Sequence, residues 1–284
     1  MKREMVNQLS AEYSVKQVCA TLALPRSTYY HAPKEKIGDP ALREEIETVI
    51  VRWPYYGYRR VTQQLKRKGV VVGETRIRRL LRQLEHSCQV GKVRISTTDS
   101  QHNYPRYLNF IKKLEITHVN QVWVADITYI RLGRKFIYLA VILDAHSRGL
   151  RGWHLSRNLD KRLSITALQK ALIDYPAPEY HHSDQGGQYA TPKYTELFPE
   201  TTQISMSAAG TPTENGLAER FMRTFKEEHI DYTEYENFAD AFKQIAFWLE
   251  VEYMTERIHS SIGYLTPAEF ETQETISNPL LLHA

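Results

Sequence analysis

The chain has 284 residues, enough for two or three domains, and its 42% hydrophobic content supplies an ordinary buried core. Its two cysteines, Cys19 and Cys88, stand in no metal-ligand spacing, which excludes a disulfide framework and a zinc ribbon; the longest apolar run, Phe136 to Leu143, falls far short of the roughly 20 residues that span a bilayer. The net charge of +4 is uneven, because Arg52 to Arg94 carries twelve Lys or Arg against two acids, a local +10 that leaves the remainder at −6 and has the electrostatic signature of nucleic-acid binding.

Ser14 is placed to cap a short helix with Val15, Val18, Cys19 and Leu22 at helical spacing. Leu24-Pro25 breaks the chain, and Ser27 is placed to cap a second helix through Tyr30, so residues 1–32 read as a small helix-turn-helix. After a linker, Asp39-Pro40 supplies an N-cap with proline at the first helical position, and Ile46, Val49, Ile50 and Trp53 continue one apolar stripe. A second helix from Arg59 to Lys68 turns Val61 and Leu65 inward and ends at Gly69. A third follows Gly73, burying Ile77, Leu80, Leu81 and Leu84 while Arg76, Arg78, Arg79 and Arg82 point elsewhere. Residues 39–89 therefore form a basic helix-turn-helix domain whose DNA contacts are expected from those four arginines and from Arg59, Arg60 and Lys66. Residues 90–115 read as a polar connector.

From Thr117 the pattern becomes strand-like. Val122 to Ile130, Lys135 to Leu143 and Gly149 to Leu155 imply three successive antiparallel strands. A helix from Lys161 to Ile173, a short strand ending at Asp184, a helix near Lys193 to Leu197, a strand at Gln203 to Met206 and two long helices from about Thr213 and Asn237 complete an α/β domain over residues 116–272, leaving 273–284 as a tail.

Three acids stand out in that domain. Asp126 interrupts an apolar strand, where an unpaired carboxylate costs a few kcal/mol in lost hydration, and Asp184 ends a strand before the Gly186-Gly187 turn. The helix after Gly210-Thr211-Pro212 offers Glu214, Glu219, Glu227 and Glu228; with Thr213 as cap, Glu214 falls at the fraying end and Glu219 inside the helix. Arg223 and Lys226 follow Glu219 on one helical face, so an acid and two cations share a line that suits a metal at one end and DNA phosphates beyond it.

Trp123-x-x-Asp126-Ile-Thr-Tyr129, His182-Ser-Asp184-Gln-Gly-x-Gln-Tyr189 and Ser205-Met-Ser207-x-x-Gly210-x-Pro212-x-Glu214-Asn215-x-x-x-Glu219-x-Phe221-x-x-x-Phe225-Lys226 resemble the bacterial insertion-sequence transposases, whose catalytic core is related to retroviral integrase. Leu143-Asp-x-x-Ser147-Arg148, Arg257-x-His259 with Pro267, and Tyr56-Gly57-Tyr58-Arg59-Arg60 extend the match over residues 10 to 270, and the 34 residues between Asp184 and Glu219 are the interval typical of that family. Glu214-Asn215-Gly216 departs from the Asp-Asn-Ala common in relatives.

The resemblance implies a ribonuclease-H-like integrase core behind all-α DNA-binding segments, with Asp126, Asp184 and Glu219 as catalytic metal ligands for two Mg²⁺ ions, Mn²⁺ substituting. It implies hydrolysis that frees a 3′ hydroxyl, attack of that hydroxyl on another phosphodiester, and no covalent protein–DNA intermediate. The expected partners are double-stranded DNA, as the terminal inverted repeats of the element and as target, and further copies of the chain as a homodimer or larger assembly on paired ends. Arg257 joins the expected DNA contacts, the expected location is the bacterial cytoplasm at the nucleoid, and no membrane association is expected. His181 and His182, adjacent on a strand, should face opposite ways and share no metal, and Asp144 should organise a turn.

Overall fold

In the computed structural model, which describes residues 2–30, 37–86, 105, 107–208 and 211–277, the chain divides into two compact units, Met1–Cys88 and Gln89–Ala284. The first begins with α1 (Lys2–Leu9), α2 (Val15–Thr21) and α3 (Arg26–Tyr30), which gather Val6, Val18 and Cys19 into a small core. Ser14 caps α2 in a reciprocal box with Gln17, as its position before the apolar stripe implies. Ser27, by contrast, lies inside α3, because Thr28 and Tyr29 already donate to the Pro25 carbonyl. Among the described residues of α1 only Val6 is buried, so this helix adds little to the core.

The basic domain consists of α4 (Asp39–Arg52), α5 (Tyr58–Arg67) and α6 (Glu74–Gln83), packed through Leu42, Ile46, Val49, Val61, Leu65, Ile77 and Leu80. Gly69, at φ +84°, terminates α5 in a left-handed conformation that a Cβ would disfavour. Asp39 is the first residue of α4 and not its cap, a position held by Gly38, so its carboxylate is available to bind elsewhere. Lys92 and Arg94, part of the basic run, lie outside the described residues.

The second unit is built on a five-stranded sheet: β1 (Val122–Leu132), β2 (Lys135–Asp144), β3 (Leu150–Ser156), β4 (Tyr180–Ser183) and β5 (Gln203–Met206), in the order β3-β2-β1-β4-β5. The first three form an antiparallel meander, and β4 and β5 join β1 in parallel, which is the ribonuclease-H-like arrangement. Period-2 alternation assigns the faces. Val122, Val124 and Ile130 point toward α9 (Gly216–Glu228) and α10 (Phe238–Phe247), meeting Phe221, Phe225, Ile245 and Trp248; Trp123 and Ala125 point toward α7 (Lys161–Asp174) and α8 (Pro192–Thr195), meeting Leu163, Leu168 and Tyr194.

Two expectations change here. A 3-10 turn, Pro212–Asn215, precedes α9, which starts at Gly216, so Glu219 sits in its first turn and Glu214 before it. After α10 the chain continues as a π-helical stretch, Trp248–Glu256, and then forms α11 (Pro267–Ser277), a helix that the pattern did not reveal. Its signal was present in Thr266 and Glu269, which bond each other's backbone N–H as a capping box. Glu271 on α11 pairs at 2.8 Å with the fully buried Arg151. Among the described residues no helix is long and apolar enough to cross a membrane.

Candidate active site and DNA-binding surface

Strand register brings the two aspartates together. Ala125 on β1 pairs with Ser183 on the parallel strand β4, so the next residues, Asp126 and Asp184, stand side by side. By alternation Asp126 shares its face with Val122 and Val124, the face covered by α9. The start of α9 is fixed to this point by Asn215, whose Nδ2 donates to the Ala125 carbonyl at 3.2 Å. Glu219 lies four residues further, one helical turn, on the exposed side of that helix.

The electrostatics record the convergence. Burial, then the neighbouring Asp184 charge and, more weakly, Glu219, push the Asp126 carboxyl up to about 8, while the Ile127 N–H on Oδ1 at 2.8 Å acts in the other direction. Asp184 Oδ1 accepts from the Gly186 N–H at 3.0 Å, and a Cβ on Gly186 would crowd both that oxygen and the Gln188 side chain. An all-carboxylate oxygen set with mutually repelling charges fits a hard divalent cation, which favours such donors and offsets their repulsion. Among the described residues, no three acidic, histidine or cysteine side chains form a preassembled metal-ligand cluster.

Other candidates separate clearly. Lys226 is half-buried, with its ammonium 4.7 Å from the Tyr129 ring centre and attracted by Asp126; Arg223 is exposed on the same helix. His181 and His182 do face opposite sides: the first bonds the Tyr194 hydroxyl at 2.9 Å, the second lies between the Ser205 and Ser207 hydroxyls at 2.8 and 3.1 Å. Burial lowers their pKa values to about 3 and about 4, so both are neutral. Asp144 is fully buried and accepts from the backbone of Asn120, His146 and Ser147, as a turn organiser does. Arg257 is not available for DNA. It is buried, and its Nε and Nη2 donate to the two oxygens of Glu228 at 2.6 and 2.8 Å, tying the end of the π-helical stretch to α9.

Two participants escaped the sequence pattern although they belong to its motifs. Asn215 is inseparable from the glutamates around it until its bond to β1 is seen. Glu214, read as a fraying cap, is held down to about 2 because Ala208 N, Asn109 Nδ2 and Lys112 Nζ all donate to it.

The basic unit also sorts its cations. Arg76 bonds Asp39 Oδ1 through Nε at 2.8 Å and the Ile37 carbonyl at 2.7 Å, and Arg79 bonds the other Asp39 oxygen. Both therefore brace α6 against α4, and Arg76 has the stronger internal commitment. Arg78 and Arg59 flank the Tyr58 ring at 5.5 and 5.3 Å, and Arg60 lies 5.2 Å from the Tyr56 ring. Arg78 and Arg82, four residues apart, share an exposed stripe of α6, and Lys66 is exposed on α5.

Comparisons with known proteins agree with this division. A family model described as integrase core domain matches residues 116–212, another of the same description matches 200–267, and a model of an HTH-like domain matches 38–92. The chain is 33% identical to the insertion element IS600 uncharacterized 31 kDa protein of Shigella sonnei, over 89% of this chain and 97% of that protein. It is 31% identical to the transposase for insertion sequence element IS904 of Lactococcus lactis, over 84% of this chain and 96% of that one. Among solved structures, the catalytic core domain of BIV integrase is similar at 18% identity and a TM-score of 0.41, covering 56% of this chain and 99% of that chain.

Proposed function

The chain belongs to the insertion-sequence transposases with an integrase core, polynucleotidyl transferases of DNA recombination, and on that premise we propose which residues carry the reaction. Asp126, Asp184 and Glu219 are the catalytic acids and would hold two Mg²⁺ ions, for which Mn²⁺ can substitute. When bound, such ions supply Lewis acidity to the attacking and leaving oxygens of a phosphodiester. The single observation behind the assignment is the shared register of Ala125 with Ser183, with Asn215 fastening α9 to the same Ala125 carbonyl. Asp126 and Asp184 give the rigid edge of the site, and Glu219 supplies the side on the helix. Lys226 and Arg223, further along α9, are suited to hold the phosphates of the reacting strand.

Residues 39–89 bind double-stranded DNA at the terminal inverted repeats of the element, using Arg78, Arg82, Lys66, Arg59 and Arg60, and residues 1–32 form a second, smaller helix-turn-helix. Residues 90–115 lead into the catalytic core at 116–272, but residues 107–112 already bond to it and its last helix, α11, continues past 272 to Ser277, so both boundaries lie further out than the sequence suggested. Two or more copies act on paired ends, in the bacterial cytoplasm on nucleoid DNA, because joining needs two DNA segments in one complex. The test is incubation with the element's own ends and Mg²⁺. Cleaved and joined products are expected from the native chain, with Asp184→Asn binding ends within a few-fold while making neither product; cleavage by that variant near the native rate would refute the acid assignment.

A further inference from the structure

Residues 107–112, leading into the catalytic unit, run beside β5: the Leu108 carbonyl accepts from Met206 N at 3.3 Å, extending the hydrogen bonding at that edge. From this strap, two polar chains lead inward. In the first, Asn109 Nδ2 and Lys112 Nζ donate to Glu214 at 2.9 and 3.0 Å, Glu214 also accepts from Ala208 N at 2.8 Å, and the next residue, Asn215, donates to the Ala125 carbonyl. In the second, Phe110 N donates to Ser205 Oγ at 3.0 Å, Ser205 meets His182 Nδ1, His182 Nε2 meets Ser207 Oγ, and Ser207 bonds the Ser183 carbonyl through both its N–H, at 2.9 Å, and its hydroxyl, at 3.4 Å.

Proton bookkeeping gives the second chain one direction. The Ser207 hydroxyl donates to Ser183, so it accepts from His182 Nε2–H; Nδ1 then accepts from the Ser205 hydroxyl, whose remaining lone pairs receive the Phe110 N–H. His182, buried between the two serine hydroxyls, thus links Ser205 to Ser207 in that one direction. The two chains end on the carbonyls of Ala125 and Ser183, the register partners that immediately precede Asp126 and Asp184.

We propose that Asn109, Lys112, Glu214, Ser205 and His182 are positioning residues that set the three acids for cation binding, with the strap as their common anchor. The inference rests on the reading of Asp126, Asp184 and Glu219 as the metal-holding acids. Groups that orient metal ligands at one remove typically change affinity by about 10- to 100-fold when removed, and these would act through the backbone preceding each aspartate and through the start of α9. Glu214 is therefore not an alternative ligand: both its oxygens are committed to the strap and the Ala208 loop.

Mn²⁺ titrated into the full chain and followed by electron paramagnetic resonance measures binding apart from turnover. Asn109→Ala/Lys112→Ala and, separately, Ser205→Ala should each weaken Mn²⁺ binding by about tenfold while end-DNA affinity stays within twofold. Hydrogen exchange should quicken at the Asn215 to Glu219 amides in the first variant. Unchanged Mn²⁺ affinity in both, even with a lowered Tm, would overturn the proposal and reduce the strap to an edge cover. Asp184→Asn separates the premise: if it too binds Mn²⁺ like the native chain, the acid assignment fails, whereas loss of binding there and no effect at the strap sinks only the positioning role.

Discussion

The basic helical unit and the integrase core use arginine in opposite ways. On α6, Arg78 and Arg82 stay on an exposed stripe, although Arg76 and Arg79 a residue or two away are spent on Asp39. In the core, Arg151 and Arg257 are withdrawn from solvent and hold carboxylates of distant segments, Glu271 and Glu228. The acids invert the pattern: Asp39 and Glu228 are matched by cations, while Asp126 stands beside other carboxylates whose repulsion the Lys226 ammonium offsets only weakly. A charged residue in this chain is therefore a candidate for function where its neighbours fail to neutralise it, and a brace where they succeed.

The sharpest break in that comparison is the loss of an unmatched acid. Asp126→Asn and Glu219→Gln should each reduce strand joining by about 1,000-fold or more, a barrier increase of roughly 4 kcal/mol, with the fold and end binding preserved. Glu227→Gln should retain activity in the same joining assay. A Glu219→Gln chain that still joins ends would mean that the third acid lies elsewhere.

Next in size is the matched pair. Arg257→Ala leaves the Glu228 carboxylate buried without its guanidinium, which typically costs about 3–5 kcal/mol, so thermal unfolding should move to much lower temperature. Replacing both residues, as Arg257→Met with Glu228→Leu, should cost far less, since no charge is stranded. Should Arg257→Ala instead melt like the native chain and lose DNA affinity with a shallower salt dependence, the brace reading of Arg257 is wrong and its surface role returns.

The smallest effects divide the arginines of one helix. Arg78→Ala with Arg82→Ala should flatten the logarithmic salt dependence of end binding by about 0.9 for each phosphate that is no longer neutralised. Arg76→Ala should leave that slope unchanged and lower the melting temperature only slightly, because its pair with Asp39 remains partly solvated. Equal slopes for the two sets would erase the distinction between bracing and exposed cations, and binding titrations at several salt concentrations decide it.

Much of this was already legible in the chain. Apolar, β-rich runs bounded by turn residues located β1, β2 and β3, the apolar stripes of α4 to α6 located the basic unit, and the motifs around Asp126, Asp184 and Glu219 carried the family resemblance, since these signals depend on local spacing and residue type. The α11 helix was missed because its apolar pattern is weak, although its capping pair was there to read. What neighbours each charge was decided only by tertiary structure. Arg257 and Arg78 look alike as letters, and so do Glu214 and Glu219; the first of each pair is engaged by residues 29 and 105 positions away, at Glu228 and Asn109. Sequence periodicity specifies which face a side chain takes on its own element, but its charge partner depends on which other elements the fold brings against that face, and Coulomb and hydrogen-bond energies are set by those distances through space.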